Sequence, residues 1–221
     1  MGKQFATTMV GRRMRRVLVV AAAIGVASVV AATTAVADTP NVSTTQVFAF
    51  TNNFHKVDNQ GVIKVAMLPA TPTVGVWTTA RATAIRCAGC RSVAIDAHVV
   101  IVGGTPQFVQ ANNQAIAQNQ HCVGCTSVAL AYQIVATAPG PVALTSTGRA
   151  QLSALSASLS ALASHGAPAT MASSADGIVQ KVVTTLNNNV VPLAQAPAAA
   201  TAVPAVPKVT VRVFRQYHVA H

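Results

Sequence analysis

Through the middle of the chain apolar and polar residues alternate, and after it apolar residues recur at helical spacing. Val47 to Phe50 and Val62 to Met67 concentrate β-branched and aromatic residues and read as strands. Asn59-Gln60-Gly61 between them is turn chemistry, so these two pieces are expected to form a hairpin. Further on, Val93, Ile95, Ala97, Val99 and Ile101 share one side of a strand, as do Val128, Leu130, Tyr132 and Ile134, and both rows should face a core. The opposite rows carry Asp96 and His98 in one segment and Gln133 and Thr137 in the other, which predicts a solvent-facing side. Gly103-Gly104-Thr105-Pro106 separates the two segments and Pro139-Gly140-Pro141 stops the second.

These segments belong to an internal repeat. Cys87-Ala-Gly-Cys90-Arg-Ser-Val-Ala-Ile aligns with Cys122-Val-Gly-Cys125-Thr-Ser-Val-Ala-Leu at an offset of 122 − 87 = 35 residues, and Ala80-x-Ala82 falls on Ala115-x-Ala117. Each unit reads as a β-hairpin with the Cys-x-Gly-Cys segment at its tip. From Thr147 the period changes. Leu152, Leu155, Leu159 and Leu162 recur every three or four residues, with Thr145, Ser146 or Thr147 as N-cap. After Gly166-Ala-Pro168, Ile178, Val182, Val183 and Leu186 form a second apolar face, with Ser173 and Asp176 at capping-box spacing. An αα-hairpin is the simplest arrangement, and its leucines are a packing stripe.

Ala196 to Pro207 is an uncharged Ala/Pro/Val linker. Lys208 to His221 alternates again and is either an edge strand or a disordered tail that meets anionic surfaces. The expected fold class is α+β: an antiparallel β-rich domain of duplicated CxxC hairpins followed by a helical hairpin. Its divisions are 1–37, 38–140 for the β-rich domain, 141–190 for the helices and 191–221 for linker and tail.

Segment 1–37 has the layout of a signal peptide. Lys3, Arg12, Arg13, Arg15 and Arg16 precede an uncharged run from Val17 to Ala37 that ends in Ala35-Val36-Ala37. Cleavage there predicts a secreted or envelope-associated protein, and an uncleaved anchor is the alternative. The remaining 221 − 37 = 184 residues suit one modest domain. They carry ten Lys and Arg against four Asp and no Glu, a net charge of 10 − 4 = +6 without any basic cluster. That balance suits solubility and a loose affinity for an anionic cell-wall polymer or an envelope protein, and it disfavours nucleic acid. No second membrane span is expected after signal cleavage, since Val93 to Val102 is short and contains Asp96 and His98.

Four cysteines in a chain bound for an oxidising compartment are first a disulfide framework, with three connectivities open. Local bridges Cys87–Cys90 and Cys122–Cys125 are favoured, because the repeat gives each unit both cysteines. No cofactor is then required. The sharper reading is zinc held by Cys87, Cys90, Cys122 and Cys125, although the 31 residues from 91 to 121 exceed the usual zinc-ribbon spacing. A third reading is thiol-disulfide redox chemistry, in which Arg86, Arg91 and His121 favour a thiolate; it lacks the helix that usually follows a reactive cysteine. Asp96 with His98 as an acid/base pair is less simple than two neighbours on one wet strand face. The chain has no His-Glu-x-x-His, Gly-x-Ser-x-Gly or phosphate loop, so a non-catalytic structural or interaction module is expected.

Residues 52–137 resemble a family of exported actinobacterial double-CxxC repeat proteins. The likeness rests on Asp58-Asn59-Gln60-Gly61-Val-Ile-Lys64-Val-Ala, on Ala80-x-Ala82 leading to Cys87-x-x-Cys90, on Asn112-Asn113-Gln114-Ala-Ile-Ala117 leading to Cys122-x-x-Cys125, and on Ala131-Tyr132-Gln133-Ile-Val. Some members carry a peptide zinc metalloprotease label, but the protease motif is absent from this chain. The resemblance implies a secreted repeat module.

Overall fold

The computed structural model describes residues 41–193 and 208–221, so the signal-like segment and the whole Ala/Pro linker lie outside the described residues. Six long strands come first: β1 (Asn41–Thr51), β2 (Val57–Leu68), β3 (Thr73–Ile85), β4 (Arg91–Gly103), β5 (Phe108–Gln120) and β6 (Thr126–Ala138). Short β7 (Val142–Leu144) leads into α1 (Ser146–His165) and α2 (Pro168–Asn189), and β8 (Val190–Pro192) returns to pair with β7. The last strand is β9 (Thr210–Ala220).

The two strands of a repeat do not pair with each other. β1, β3 and β5 form one parallel sheet, β2, β4 and β6 a second, and each turn carries the chain from one sheet to the other. The units are therefore β-arches stacked in three rungs, and this corrects the expected antiparallel hairpins. Parallel strands need a long crossover, and here each sheet serves as the crossover of the other. The 35-residue repeat is the rung period: Thr73 faces Phe108 and Arg91 faces Thr126, without a slip along either strand. Asn41 to Thr51 and Val57 to Leu68 are a third arch rather than the expected initial hairpin.

Asn59-Gln60-Gly61 is not a turn but part of β2. Gly61 is required there for another reason: a Cβ would lie 2.5 Å from the Leu159 carbonyl oxygen of α1, which rests directly on the strand. Ser156 of α1 also accepts the Ile63 backbone N–H at 3.0 Å, so the helix covers part of the edge of the second sheet.

The helical pair follows the strands as expected, with Thr145 as the N-cap of α1, its hydroxyl accepting from Gly148 N–H at 3.0 Å. Ser173 and Asp176 lie inside α2 rather than at its start, which is set by Pro168 in the first turn. The helices cover the row Val93, Ile95, Val99, Ile101, Val128, Leu130 and Ile134 with Leu152, Leu159, Met171, Val179, Val182 and Leu186.

The opposite row of β4 and β6 is equally buried, because it faces the first sheet. Asp96, His98 and Gln133 are fully enclosed, which overturns their expected place on a wet face. A central strand of a parallel sheet is covered on both sides, and Val99-Val100-Ile101-Val102 shows the resulting unbroken apolar run. Much of the layer between the sheets is alanine, including Ala80, Ala82, Ala94, Ala115, Ala117 and Ala129. Among the described residues no helix is long and apolar enough to cross a membrane.

The C-terminal segment forms an edge strand. β9 pairs antiparallel with β6 from Thr137↔Thr210 to Ser127↔Ala220, and Arg215 bridges Asp176 of α2 at 2.7 Å.

Replacing Gly61 with alanine should push α1 off β2 and lower stability by about 1–3 kcal/mol. Urea denaturation measures this; an unchanged midpoint would mean that the close contact of helix and strand is absent.

Candidate functional site

Both Cys-x-Gly-Cys turns have the same backbone path. Arg86 and Gly89 have positive φ (50° and 65°), and so do His121 and Gly124 (52° and 62°). Glycine meets that demand without a Cβ penalty, whereas Arg86 and His121 are held there by the stack. Arg86 N–H donates to Gln120 O, Val123 N–H to Cys87 O, Gly89 N–H to Val123 O and Thr126 N–H to Cys90 O, all between 2.8 and 3.1 Å. One turn thus lies directly on the other.

Stacking brings all four cysteines together. Cys87 and Cys90 are joined as the favoured local pair, while Cys122 and Cys125 are free thiols. The Cys87 sulfur is 3.5 Å from the sulfurs of both Cys122 and Cys125. Cys87, Cys90 and Cys125 are buried and their sulfurs lie within 4.8 Å of one another; Cys122 is half-buried. Burial pushes the Cys125 thiol above its ordinary range, and the neighbouring Cys122 adds to the rise.

The first arch turns without cysteine. Asn52 Oδ1 accepts the backbone N–H groups of Phe54 and His55 at 2.9 Å, and the Cys90 sulfur lies 3.7 Å from Asn52 O. The sulfur cluster is therefore roofed by an Asn-built turn. The signal that this rung exists was the alanine at Ala49, which shares the place of Ala82 and Ala117.

Arg91 does not serve a thiolate. Its guanidinium donates to Ser164 O at 2.7 Å and to Gly166 O at 2.8 Å, closing the C-terminal end of α1 with a cation. Strands β4 and β6, not helices, follow the two motifs, so neither motif has the helix N-terminus that activates many redox cysteines.

Further along the arches lies a buried polar group. His98 Nε2 is 2.8 Å from the Ser43 hydroxyl and Nδ1 is 3.4 Å from that of Thr78. Gln133, its counterpart one rung on, donates to Val76 O and Asn112 O. Both Asp96 oxygens lack a hydrogen-bond partner. Burial raises the Asp96 carboxyl to about 6, opposed by the nearby Thr45 hydroxyl and the Lys64 ammonium. Burial lowers the His98 imidazole to about 4, with Trp77 backbone bonding opposing and Lys64 reinforcing the fall. Asp96 and His98 thus favour their uncharged forms around pH 5 and are two positions apart on one row, a poor acid/base pair without solvent access.

The outer face of the first sheet is the other distinctive surface. Its in-register rows are Thr44–Trp77–Asn112, Gln46–Thr79–Gln114, Phe48–Arg81–Ile116 and Phe50–Thr83–Gln118. Trp77, Phe48 and Phe50 remain 50%, 54% and 47% exposed, too open to be core. Sequence reading missed this face because its aromatic residues, Phe108 of β5 among them, are scattered along three strands and converge only on stacking.

No family model, no curated protein and no solved structure matches this chain.

Asp96 and His98 give opposite pH dependences. The folded state holds the Asp96 proton more tightly than the unfolded chain, so that term costs stability as pH rises from about 4 to about 6, by about 3 kcal/mol in full. The unfolded chain protonates the histidine more readily, so the His98 term adds a similar amount, about 3 kcal/mol, as pH rises from about 4 to about 6.5. The two should nearly cancel. In urea titrations Asp96→Asn should leave stability rising with pH and His98→Gln should leave it falling; identical profiles for both variants would refute the buried placement.

Proposed function

We propose that this protein is an exported, non-catalytic interaction module in which a clamped stack of arches presents the outer face of its first sheet to a carboxylate-bearing envelope polysaccharide. The observation that carries the reading is the chemistry of that face. Three half-exposed aromatic rings lie among side-chain amides and threonine hydroxyls, with Arg81 as the cation of its rows and no carboxylate on β1, β3 or β5. Aromatic rings stack on the C–H faces of sugars, amides exchange hydrogen bonds with hydroxyl groups, and a guanidinium pairs with a carboxylate. The absence of acidic groups on these strands, together with the +6 balance of residues 38–221, favours an anionic chain over a cationic one.

Rigidity supports the same reading. Hydrogen bonds run along the whole length of β1, β3 and β5, so the rows keep their spacing, about 4.8 Å from strand to strand, and little order has to be gained on binding. The signal-peptide layout of 1–37 supports a place outside the cytoplasmic membrane, where such polymers occur.

Trp77 is the sole tryptophan, so its emission reports on this face alone. Titration with a purified carboxylate-bearing envelope polysaccharide should shift that emission saturably. Phe48→Ser and Arg81→Ala should each weaken binding about tenfold with little change in denaturation midpoint. Unaltered emission together with failure to co-sediment with the polysaccharide would reject the proposal.

A further inference from the structure

The four sulfurs carry an inference beyond surface recognition. We propose that the reduced chain binds one zinc ion between its second and third arches, with Cys87, Cys90, Cys122 and Cys125 as a closed tetrahedral thiolate site.

The distances set the first argument. Zinc–thiolate bonds of about 2.3 Å at tetrahedral angles place neighbouring sulfurs about 3.8 Å apart. Cys87 has two such neighbours at 3.5 Å, Cys122 and Cys125, both contributed by the other turn. Cys125 is also within 4.8 Å of Cys90. A set of independent local bridges needs no approach of one pair to the other; a shared cation needs the approach that is found.

The second argument is how the sequence builds the cluster. The repeated positive φ at Arg86 and Gly89, and at His121 and Gly124, gives both turns one shape. Parallel stacking then displaces one pair from the other by about one strand spacing, 4.8 Å, which is within reach of a single ion. Hydrogen bonds between the turns fix that displacement before any ligand arrives.

The donor set selects the ion. Four sulfurs and no carboxylate favour a thiophilic cation such as zinc over magnesium or calcium, which take oxygen ligands. Arg86 and His121 immediately precede the two motifs, and Arg86 supplies a cation beside a centre of net charge 2−, which is two minus four. Cys122 is the more open ligand and gives the ion a way in.

In the structure Cys87 and Cys90 are bonded, so the centre forms in the chain opened by a dithiol. One S–S bond breaks, two S–H bonds form, and the dithiol becomes its own disulfide. Zinc then displaces four protons from four thiols. The bridged chain and the zinc-bound chain are alternative locks for the same pair of turns.

The test uses the full chain, reduced with a dithiol under anaerobic conditions, freed of reductant, and titrated with cobalt(II) and then zinc(II). We expect one cobalt per chain, with the strong sulfur-to-metal charge-transfer band and visible bands of a tetrahedral tetrathiolate, bleached stoichiometrically by zinc. Cys122→Ser should weaken cobalt binding more than about tenfold. Because a serine variant can lose its fold, the wild-type chain supplies an independent readout: zinc should protect all four thiols from alkylation. A reduced chain that gives no tetrahedral cobalt spectrum, or whose thiols alkylate equally fast with and without zinc, overturns the proposal and leaves polysaccharide binding by the first sheet to stand or fall on its own titration.

Discussion

In-register stacking of one arch on the next is the constraint on which the rest of the structure depends. Each long strand of the second and third arches lies against its counterpart one repeat earlier, and each inter-sheet turn does the same. A single arch has no internal ladder and cannot satisfy its own backbone, so it gains order only from its neighbours. Register then determines side-chain neighbourhood: the serines Ser92 and Ser127, the alanines Ala94 and Ala129, and the cysteine turns each come to lie on their own kind. Displacing one arch by a single residue would turn every inward side chain outward. The sulfur cluster and the aromatic face are two results of one registration.

The same constraint explains why polar groups lie between the sheets. The inner row of β4 is shared with an identical position in β6, yet the residues differ: Asp96 faces Ala131 and His98 faces Gln133. Ser43 and Thr78 give the imidazole partners, and Gln133 binds backbone carbonyls of the first sheet. Such contacts are directional where alanine packing is not. They specify which arch belongs beside which in a core whose small side chains would tolerate a slide, and the unpartnered Asp96 carboxyl is the destabilising member of the group.

Much of this was legible in the residues, and the errors share one cause. Strand positions, the repeat, the helical pair, the turn at Pro139-Gly140-Pro141 and the row that meets the helices follow from period and punctuation. Two apolar runs joined by a short glycine-containing turn look alike whether they pair with each other or with copies of themselves, so the residues alone suggest a hairpin where the chain forms an arch. That single substitution misplaced Asp96, His98 and Gln133 in solvent and separated the cysteine pairs. The repeat was the available corrective, since a period of 35 residues with its cysteines in phase is what stacked units require. Gly61 misled for a related reason: glycine marks close approach as well as turning, and the nearness of Leu159 is not local in sequence.

A stack built this way has no inherent end, because each added rung offers the next one an open ladder. The chain meets that hazard differently at its two ends. Behind the third arch, β9 runs antiparallel to β6 and so cannot continue the parallel series, while its Gln216 and His218 side chains accept the Ala115 and Ala117 backbone N–H groups of β5. Two side chains thus replace part of a missing strand. Ahead of the first arch, Ser156 from α1 takes the Ile63 N–H, and Lys64 reaches the Gln46 carbonyl at 3.4 Å. Neither device requires a long cover, which is why the outer face of the first sheet stays open although part of its edge is protected. Capping at the edges, rather than burial of the faces, occupies part of the open ladder at each end of the stack and leaves the outer face of the first sheet exposed.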